Sequence, residues 1–273
     1  MTIDYHAQTV LLTGASSGIG AVFATALAAR GSDLVLVARR AERLTQAADE
    51  LHRTYGVRVE AIPLDLARPA AAAELREAVA DRGVAVTALI NNAGFGTFAR
   101  FAEADTGRLA AEIAVDVAAP VQLTAAFMPQ MLSAGNGFII NVASVSAYFP
   151  SPRMAVYSAA KAFVLSFTES LWTELRGTGL TVFAVCPGAT TTDFTTEMGT
   201  GASVLTSGRT RTPEDVVATA MAHLERRDPG PSVIDGRSNQ LGVIMSRFLS
   251  RRSSAVMMER VFDPDRGSKS AAV

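Results

Sequence analysis

The chain has few of the residues that build cross-links or metal centres. Cys186 is its single cysteine, which excludes an internal disulfide and points to a reducing compartment. His6, His52 and His223 are scattered, and no His/Cys cluster has ligand spacing, so no metal is expected. No apolar run approaches the ~20 residues of a membrane span. The first residues, Met1 to His6, lack the basic-then-apolar order of a signal peptide. Neither sign of charge dominates: 25 Lys+Arg against 26 Asp+Glu leave a net charge of −1. No global field therefore favours nucleic acid or an acidic membrane. A soluble, cytoplasmic protein is the expectation.

Lysine is scarce as well. Among the 25 basic residues only Lys161 and Lys269 are lysines, the rest being arginine. Lys161 closes the run Tyr157-Ser-Ala-Ala-Lys161, and Ser144 lies thirteen residues before the tyrosine. Four residues on a helix is about one turn, roughly 6 Å of rise, so phenol and ammonium share a face. A free phenol titrates near ~10. A neighbouring ammonium favours the phenolate and lowers that value. The pair is suited to acid/base work between a carbonyl and an alcohol.

Along 273 residues, 49% of them hydrophobic, short β-branched runs alternate with Ala-rich helical stretches. Strands are predicted at Thr9–Thr13, Asp33–Ala38, Val57–Leu64, Val86–Asn91, Gly137–Ala143, Leu180–Cys186 and Ser232–Ile234. Helices are predicted at Gly18–Arg30, Ala41–Tyr55, Pro69–Asp81, within Asp105–Ser133, at Met154–Gly177 and at Pro213–Arg226. Near-continuously apolar strands belong in a sheet covered on both faces. Strict βα alternation implies an α/β, doubly wound parallel sheet with right-handed crossovers. One domain is expected over residues 1–262, with a Gly/Thr/Ser-rich loop at about 189–211, a helical segment at about 240–262 and a flexible tail at 263–273.

Directly after the first strand comes Thr13-Gly14-Ala15-Ser16-Ser17-Gly18-Ile19-Gly20, opening a helix. Glycines allow a tight turn and close backbone approach, and the helix N-terminus offers N–H groups and partial positive charge to a pyrophosphate. The spacing is Gly-x-x-x-Gly-x-Gly rather than Gly-x-Gly-x-x-Gly. At the end of the second strand, where an acid would hold the ribose hydroxyls of NAD, stand Ala38, Arg39 and Arg40. Guanidinium groups suit a 2′-phosphate, which favours NADP(H) over NAD.

These residues together resemble the short-chain dehydrogenase/reductase family, in its short-form, NADP-preferring bacterial branch. The resemblance runs from about Val10 to Ile234 and rests on Thr13–Gly20, Asp65, Asn91-Asn92-Ala93-Gly94, Ser144, Tyr157, Lys161 and Pro187-Gly188. It implies a single-domain Rossmann fold with a seven-stranded parallel sheet. By the same resemblance, Tyr157 is the acid/base and Lys161 holds the nicotinamide ribose, while Ser144 bonds the substrate oxygen. Asp65 and Leu66 are then expected at the adenine, and Asn91, Asn92, Ala93 and Gly94 at the centre of the cofactor cleft. Pro187, Gly188 and Thr192 are expected beside the nicotinamide. One position departs from the family pattern. Asp116 stands where an asparagine usually helps to hold a relay water. A carboxylate accepts hydrogen bonds but does not donate them when ionised. Asp116 is expected to preserve the relay by accepting from Lys161 or a water, or else to weaken catalysis.

Ligands of such sheets bind beyond the carboxyl ends of the strands. Phe95, Tyr148-Phe149-Pro150 and the 190–211 loop with Phe194, Met198 and Leu205 are therefore candidates for the substrate wall. Their character suggests a lipophilic or aromatic carbonyl or alcohol. The resemblance implies a homodimer or homotetramer built through the helices at Asp105–Ser133 and Met154–Gly177. The segment Leu241–Phe262 mixes apolar residues with Arg247, Arg251, Arg252 and Arg260. It is expected to pack on the domain or a partner subunit rather than on a membrane. Two functions stand: an NADP(H)-dependent oxidoreductase, or a nucleotide-binding protein of the same fold with weakened catalysis. A serine hydrolase fits less well, because the turn after the first strand is shaped for a cofactor.

Overall fold

The computed structural model describes residues 3–194, 198 and 210–263. Its strands are β1 (Thr9–Thr13), β2 (Asp33–Ala38), β3 (Val59–Pro63), β4 (Ala88–Asn91), β5 (Gly137–Val142), β6 (Leu180–Cys186) and β7 (Ser232–Ile234). They form one parallel sheet in the order β3-β2-β1-β4-β5-β6-β7. Strands β3, β4 and β5 are each shorter than predicted, because apolar sequence runs a residue or two past the paired ladder.

Successive strand residues point to opposite faces, so each central strand feeds two cores. Leu12, Leu36, Ile140 and Phe183 face α1 (Gly18–Ala28), α2 (Ala41–Tyr55) and α7 (Pro213–Leu224). Leu11, Val35, Leu89 and Ile139 face α3 (Ala71–Asp81), α5 (Ala119–Ala134) and α6 (Ala155–Glu174). Each large apolar side chain so buried contributes about 1.5–3 kcal/mol. Local signals set the helix ends. Gly56 stops α2 with φ +70°. Thr212 and Asp215 form a reciprocal capping box at the start of α7.

The helical region predicted within Asp105–Ser133 is not one helix. It is α4 (Thr106–Ile113) and α5, joined by a π-helical turn at Ala114–Ala118 that holds Asp116. This stretch is long and apolar enough to cross a membrane by composition. Here it lies on the sheet, with Leu123, Phe127 and Met131 buried. The predicted segment at 240–262 is also two helices, α8 (Arg237–Ser246) and α9 (Arg251–Val261). Helix α9 folds back over the carboxyl end of the sheet, where Met258 and Phe262 join Phe98, Met154, Tyr157 and Met198 in a satellite core. Most of the predicted 189–211 loop, including Leu205, and the predicted tail beyond Asp263 lie outside the described residues. The far end of the loop is anchored by Arg211, whose guanidinium makes two 2.9 Å bonds to the buried Asp235 after β7.

Candidate active site

Strand order reverses between β1 and β4, and a cleft of about 780 Å³ opens there beyond the strand ends. Most of the cofactor and substrate residues inferred from sequence line it; Gly20, Asn91, Tyr148, Pro150 and Met198 do not, and Asp116 sits behind the wall. Gly14, with φ +67°, makes the turn: a Cβ there would stand 2.7 Å from Asn92 Nδ2 and 2.9 Å from Ala93 Cα. Gly20 packs the helix against this turn, since its own Cβ would meet Gly14 O and Asn92. Thr13 Oγ1 accepts from the backbone N–H groups of Asn92 and Ala93, each at 3.0 Å, and Asn92 Nδ2 donates to Thr13 O at 3.0 Å. The ends of β1 and β4 are thereby locked together. The Ser17 side chain does not cap α1, so the first N–H groups of that helix stay open to an anion. Arg39 and Arg40 stand at the same end of the cleft as Asp65 and Leu66. This cradle of helix start, close-packed glycine and guanidinium pair fits the phosphates of a nicotinamide dinucleotide.

Two sequence expectations are corrected. Asn91 does not face the cleft. It points into the core, donating to Asn141 Oδ1 at 2.8 Å, and Asn141 in turn donates to Thr168 Oγ1 at 2.8 Å. Of Tyr148-Phe149-Pro150 only Phe149 lines the cleft. The Tyr148 hydroxyl lies instead 3.7 Å from Cys186 Sγ.

At the other end of the cleft, α6 presents Tyr157 in its first turn and Lys161 in its second, both buried. Lys161 Nζ stands 5.5 Å from the centre of the Tyr157 ring and donates to Val142 O at 3.1 Å. It forms an ion pair with Asp116 Oδ1 at 2.8 Å, so the carboxylate does accept from the lysine. Asp116 Oδ2 accepts from the backbone of Phe95 at 3.1 Å. Gly94 covers the pair: a Cβ there would lie 2.6 Å from Asp116 Oδ1 and 3.1 Å from Lys161 Nζ. Ser144 accepts from the N–H of Ser146 at 3.1 Å, and its hydroxyl also reaches the Tyr157 phenol, favouring the phenolate.

The electrostatics differ from the expectation in one respect. Burial pushes the Tyr157 phenol above its ordinary value; Lys161 pulls it down, and Asp116 pushes it up again. The ammonium acts in the expected direction but is outweighed, since desolvation penalises the phenolate. Burial works against the charged lysine too, yet Asp116, Tyr157 and Glu112 together outweigh it and hold the ammonium above its usual range. Burial also raises the Asp116 carboxyl, against the pull of Lys161.

Sequence reasoning missed Glu112. It is fully buried one turn before Asp116; its Oε2 accepts from Thr97 Oγ1 at 2.6 Å, and its Oε1 has no hydrogen-bond partner. Burial lifts its carboxyl to about 7, opposed by the Thr97 bond and reinforced by Asp116. An acid four residues before Asp116 on the same helical face was the available signal. Also missed was Arg108, which lines the cleft, donates to Gly96 O at 2.9 Å and Thr97 Oγ1 at 3.1 Å, and stacks over Phe95. The wall beside the phenol is apolar: Phe194 at 5.4 Å between ring centres, with Phe149, Met154, Met258 and Phe262. Residues Gly14 to Gly18 also spell Gly-x-Ser-x-Gly. Among the described residues no histidine lines the cleft, so the Ser–His pairing of a serine hydrolase has no imidazole there for Ser16.

The sequence profile of the short chain dehydrogenases matches residues 8–202. The chain belongs to the short-chain dehydrogenase/reductase family. As a member it is an oxidoreductase of CH–OH and carbonyl groups, in a family that uses NAD or NADP. Sulfoacetaldehyde reductase 2 of Chromohalobacter salexigens is 37% identical over 188 residues, 68% of this chain and 74% of that one. A short-chain dehydrogenase from Sphingobium yanoikuyae, solved in complex with NADPH, superposes with a TM-score of 0.78 at 36% identity, over 88% of this chain and 93% of that one. The bulky-bulky ketone specific alcohol dehydrogenase of Comamonas testosteroni gives 0.74 at 30% identity, over 89% and 92%. In this short-chain dehydrogenase Lys161 is paired with a buried carboxylate, Asp116.

Proposed function

We propose that the protein interconverts a lipophilic or aromatic carbonyl compound and its secondary alcohol, using NADP(H), with Tyr157 as the acid/base. The observation that carries this reading is the Tyr157–Lys161 pair of α6, opening with Ser144 onto a cleft whose other end is a phosphate cradle. Arg39 and Arg40 at that end support the phosphorylated cofactor, as does the NADPH held by the Sphingobium relative. The apolar wall, and a relative that takes bulky ketones, support the substrate class. A reducing compartment such as the cytoplasm is the setting this implies.

The bound nicotinamide supplies or accepts the hydride. Ser144 holds the substrate oxygen beside the phenol and steadies charge that develops on it. In reduction Tyr157 gives its proton to that oxygen; in oxidation its phenolate takes the proton back. Lys161 stabilises the phenolate and binds the ribose edge of the cofactor. Asp116 keeps Lys161 charged and fixed, and the backbone of Phe95 fixes Asp116 in turn. Exposed Ile113, Leu132 and Phe163 on α4, α5 and α6 support a homodimer or homotetramer formed through those helices.

The test follows NADPH absorbance against a panel of lipophilic ketones, with Tyr157→Phe as control. That substitution is expected to lower turnover by about 10²–10⁴-fold while NADPH still binds. Turnover that survives it rejects Tyr157 as the proton donor. The buried Asp116 beside Lys161 favours a second reading, a nucleotide-binding protein with weakened catalysis. Saturable NADPH binding with no turnover across the panel would establish that one.

A further inference from the structure

Helices α8 and α9 bury little of what they carry. Of residues 237–262 only Val243, Ser254, Met258 and Phe262 are buried. Leu241, Ile244, Met245 and Phe248 are spaced as one stripe of a helix, and they are 61%, 52%, 57% and 81% exposed. A helix packed on a domain turns such a stripe inward, whereas α8 and its closing turn direct it to solvent. Helix α9 adds exposed Val256, Met257 and Val261. Exposed apolar side chains gathered in one stripe mark a candidate site of contact. Packing on the domain, one of the two settings that sequence favoured beside a partner subunit, accounts for only the four buried residues.

The charge around the stripe selects what covers it. Residues 237–262 hold five arginines, Arg237, Arg247, Arg251, Arg252 and Arg260, against one acid, Glu259. That is a local net charge of +4 in a chain whose total is −1, and all five arginines are exposed. A symmetric pairing centred on this patch would bring it onto its own twin, cation against cation. Juxtaposed like charges cost several kcal/mol at an interface. An anionic, planar, partly apolar surface meets both features. Guanidinium forks bind phosphate, and an outward apolar stripe sinks to the headgroup–acyl boundary.

We propose that the α8–α9 face docks the protein onto a membrane surface rich in anionic phospholipid. Leu241, Ile244, Met245 and Phe248 enter the interface, and Arg247, Arg251 and Arg252 engage the headgroup phosphates. The next helical turn of α9 is the wall of the active-site cleft: Met258, Val261 and Phe262 all line it. Docking therefore sets the mouth of the cleft near the bilayer. Delivery of a lipophilic substrate from that bilayer rests on the function proposed above; docking itself does not.

The experiment is co-sedimentation of the full-length protein with phosphatidylglycerol–phosphatidylcholine vesicles and with pure phosphatidylcholine vesicles. Binding to the first and not to the second is expected, with release as salt screens the arginines. Each arginine at such a surface contributes roughly fivefold to partition, so Arg247→Gln/Arg251→Gln/Arg252→Gln should weaken it about a hundredfold. Met245→Ser/Phe248→Ser should also abolish it, and in both variants the thermal midpoint and NADPH binding should stay as in the parent. No sedimentation with anionic vesicles, equal sedimentation with neutral ones, or indifference to salt overturns the proposal on the parent protein alone. So does dissociation of an oligomer by Met245→Ser/Phe248→Ser in analytical ultracentrifugation, which would assign the face to a second copy. None of these outcomes bears on turnover of a water-soluble ketone, so the docking and the reaction are tested apart.

Discussion

Replacing Glu112 by glutamine should flatten part of the pH dependence of stability. The carboxyl is fully buried, and burial lifts it from an ordinary value near 4.5 to about 7. Thr97 bonds it, Arg108 and Lys161 pull its value down, and Asp116 pushes it up. Between pH 4.5 and 7 the native state keeps this proton while the unfolded chain has released it. The native state then binds more protons, so stability falls as pH rises through that window and levels off above 7. At about 1.4 kcal/mol per pH unit, the loss attributable to Glu112 is about 3 kcal/mol. Glu112→Gln keeps an oxygen for Thr97 and removes the titration. Urea unfolding at pH 5 and pH 8 measures the effect, and the variant should gain about 3 kcal/mol on the parent between the two. His223 titrates in the same window with the opposite sign, because burial lowers its value, but it is common to both proteins and cancels in the difference. A difference between variant and parent that stays constant from pH 5 to pH 8 would refute the reasoning. Ionised Glu112 also raises the Tyr157 phenol. The alkaline limb of alcohol oxidation should therefore move to lower pH in the variant.

Asp116→Asn should lower turnover at neutral pH, since the carboxylate accepts from both Lys161 and the Phe95 backbone and an amide presents only one oxygen. A rise in turnover would show instead that the charge is a handicap. Gly94→Ala sets a methyl group 2.6 Å from Asp116 Oδ1. It should lower kcat at least about tenfold, with an overpacking loss of about 1–3 kcal/mol in urea unfolding. Removing the guanidinium groups in Arg39→Ala/Arg40→Ala should lower the NADPH-over-NADH affinity ratio at least about tenfold, read by fluorescence titration; an unchanged ratio places the 2′-phosphate elsewhere.

The sheet was legible because strands covered on both faces carry unbroken apolar runs between turn residues. Their ends were less so, since Val57 and Val86 are apolar yet lie outside the ladders of β3 and β4. The inward turn of Asn91 depends on strand parity, which places neighbours on opposite faces; a motif of two adjacent asparagines does not say which one enters the cleft. The π-turn around Asp116 adds a residue to one helical turn without disturbing the apolar pattern, so α4 and α5 read as one element. Spacing along α6 brought Tyr157 and Lys161 together correctly. The sign of the phenol's shift required its burial, which comes from Phe194, Met198 and Met258, residues remote in sequence.

The wall formed by α9 separates two kinds of change. The hydride and proton machinery sits on strands and helices whose packing the whole sheet enforces. Met258 and Phe262 come from α9 and its C-cap, outside the sheet. Selection, or a designer, can thus retune which molecules enter by editing the cleft-facing residues of α9, provided that Met258 stays in place to keep Tyr157 buried.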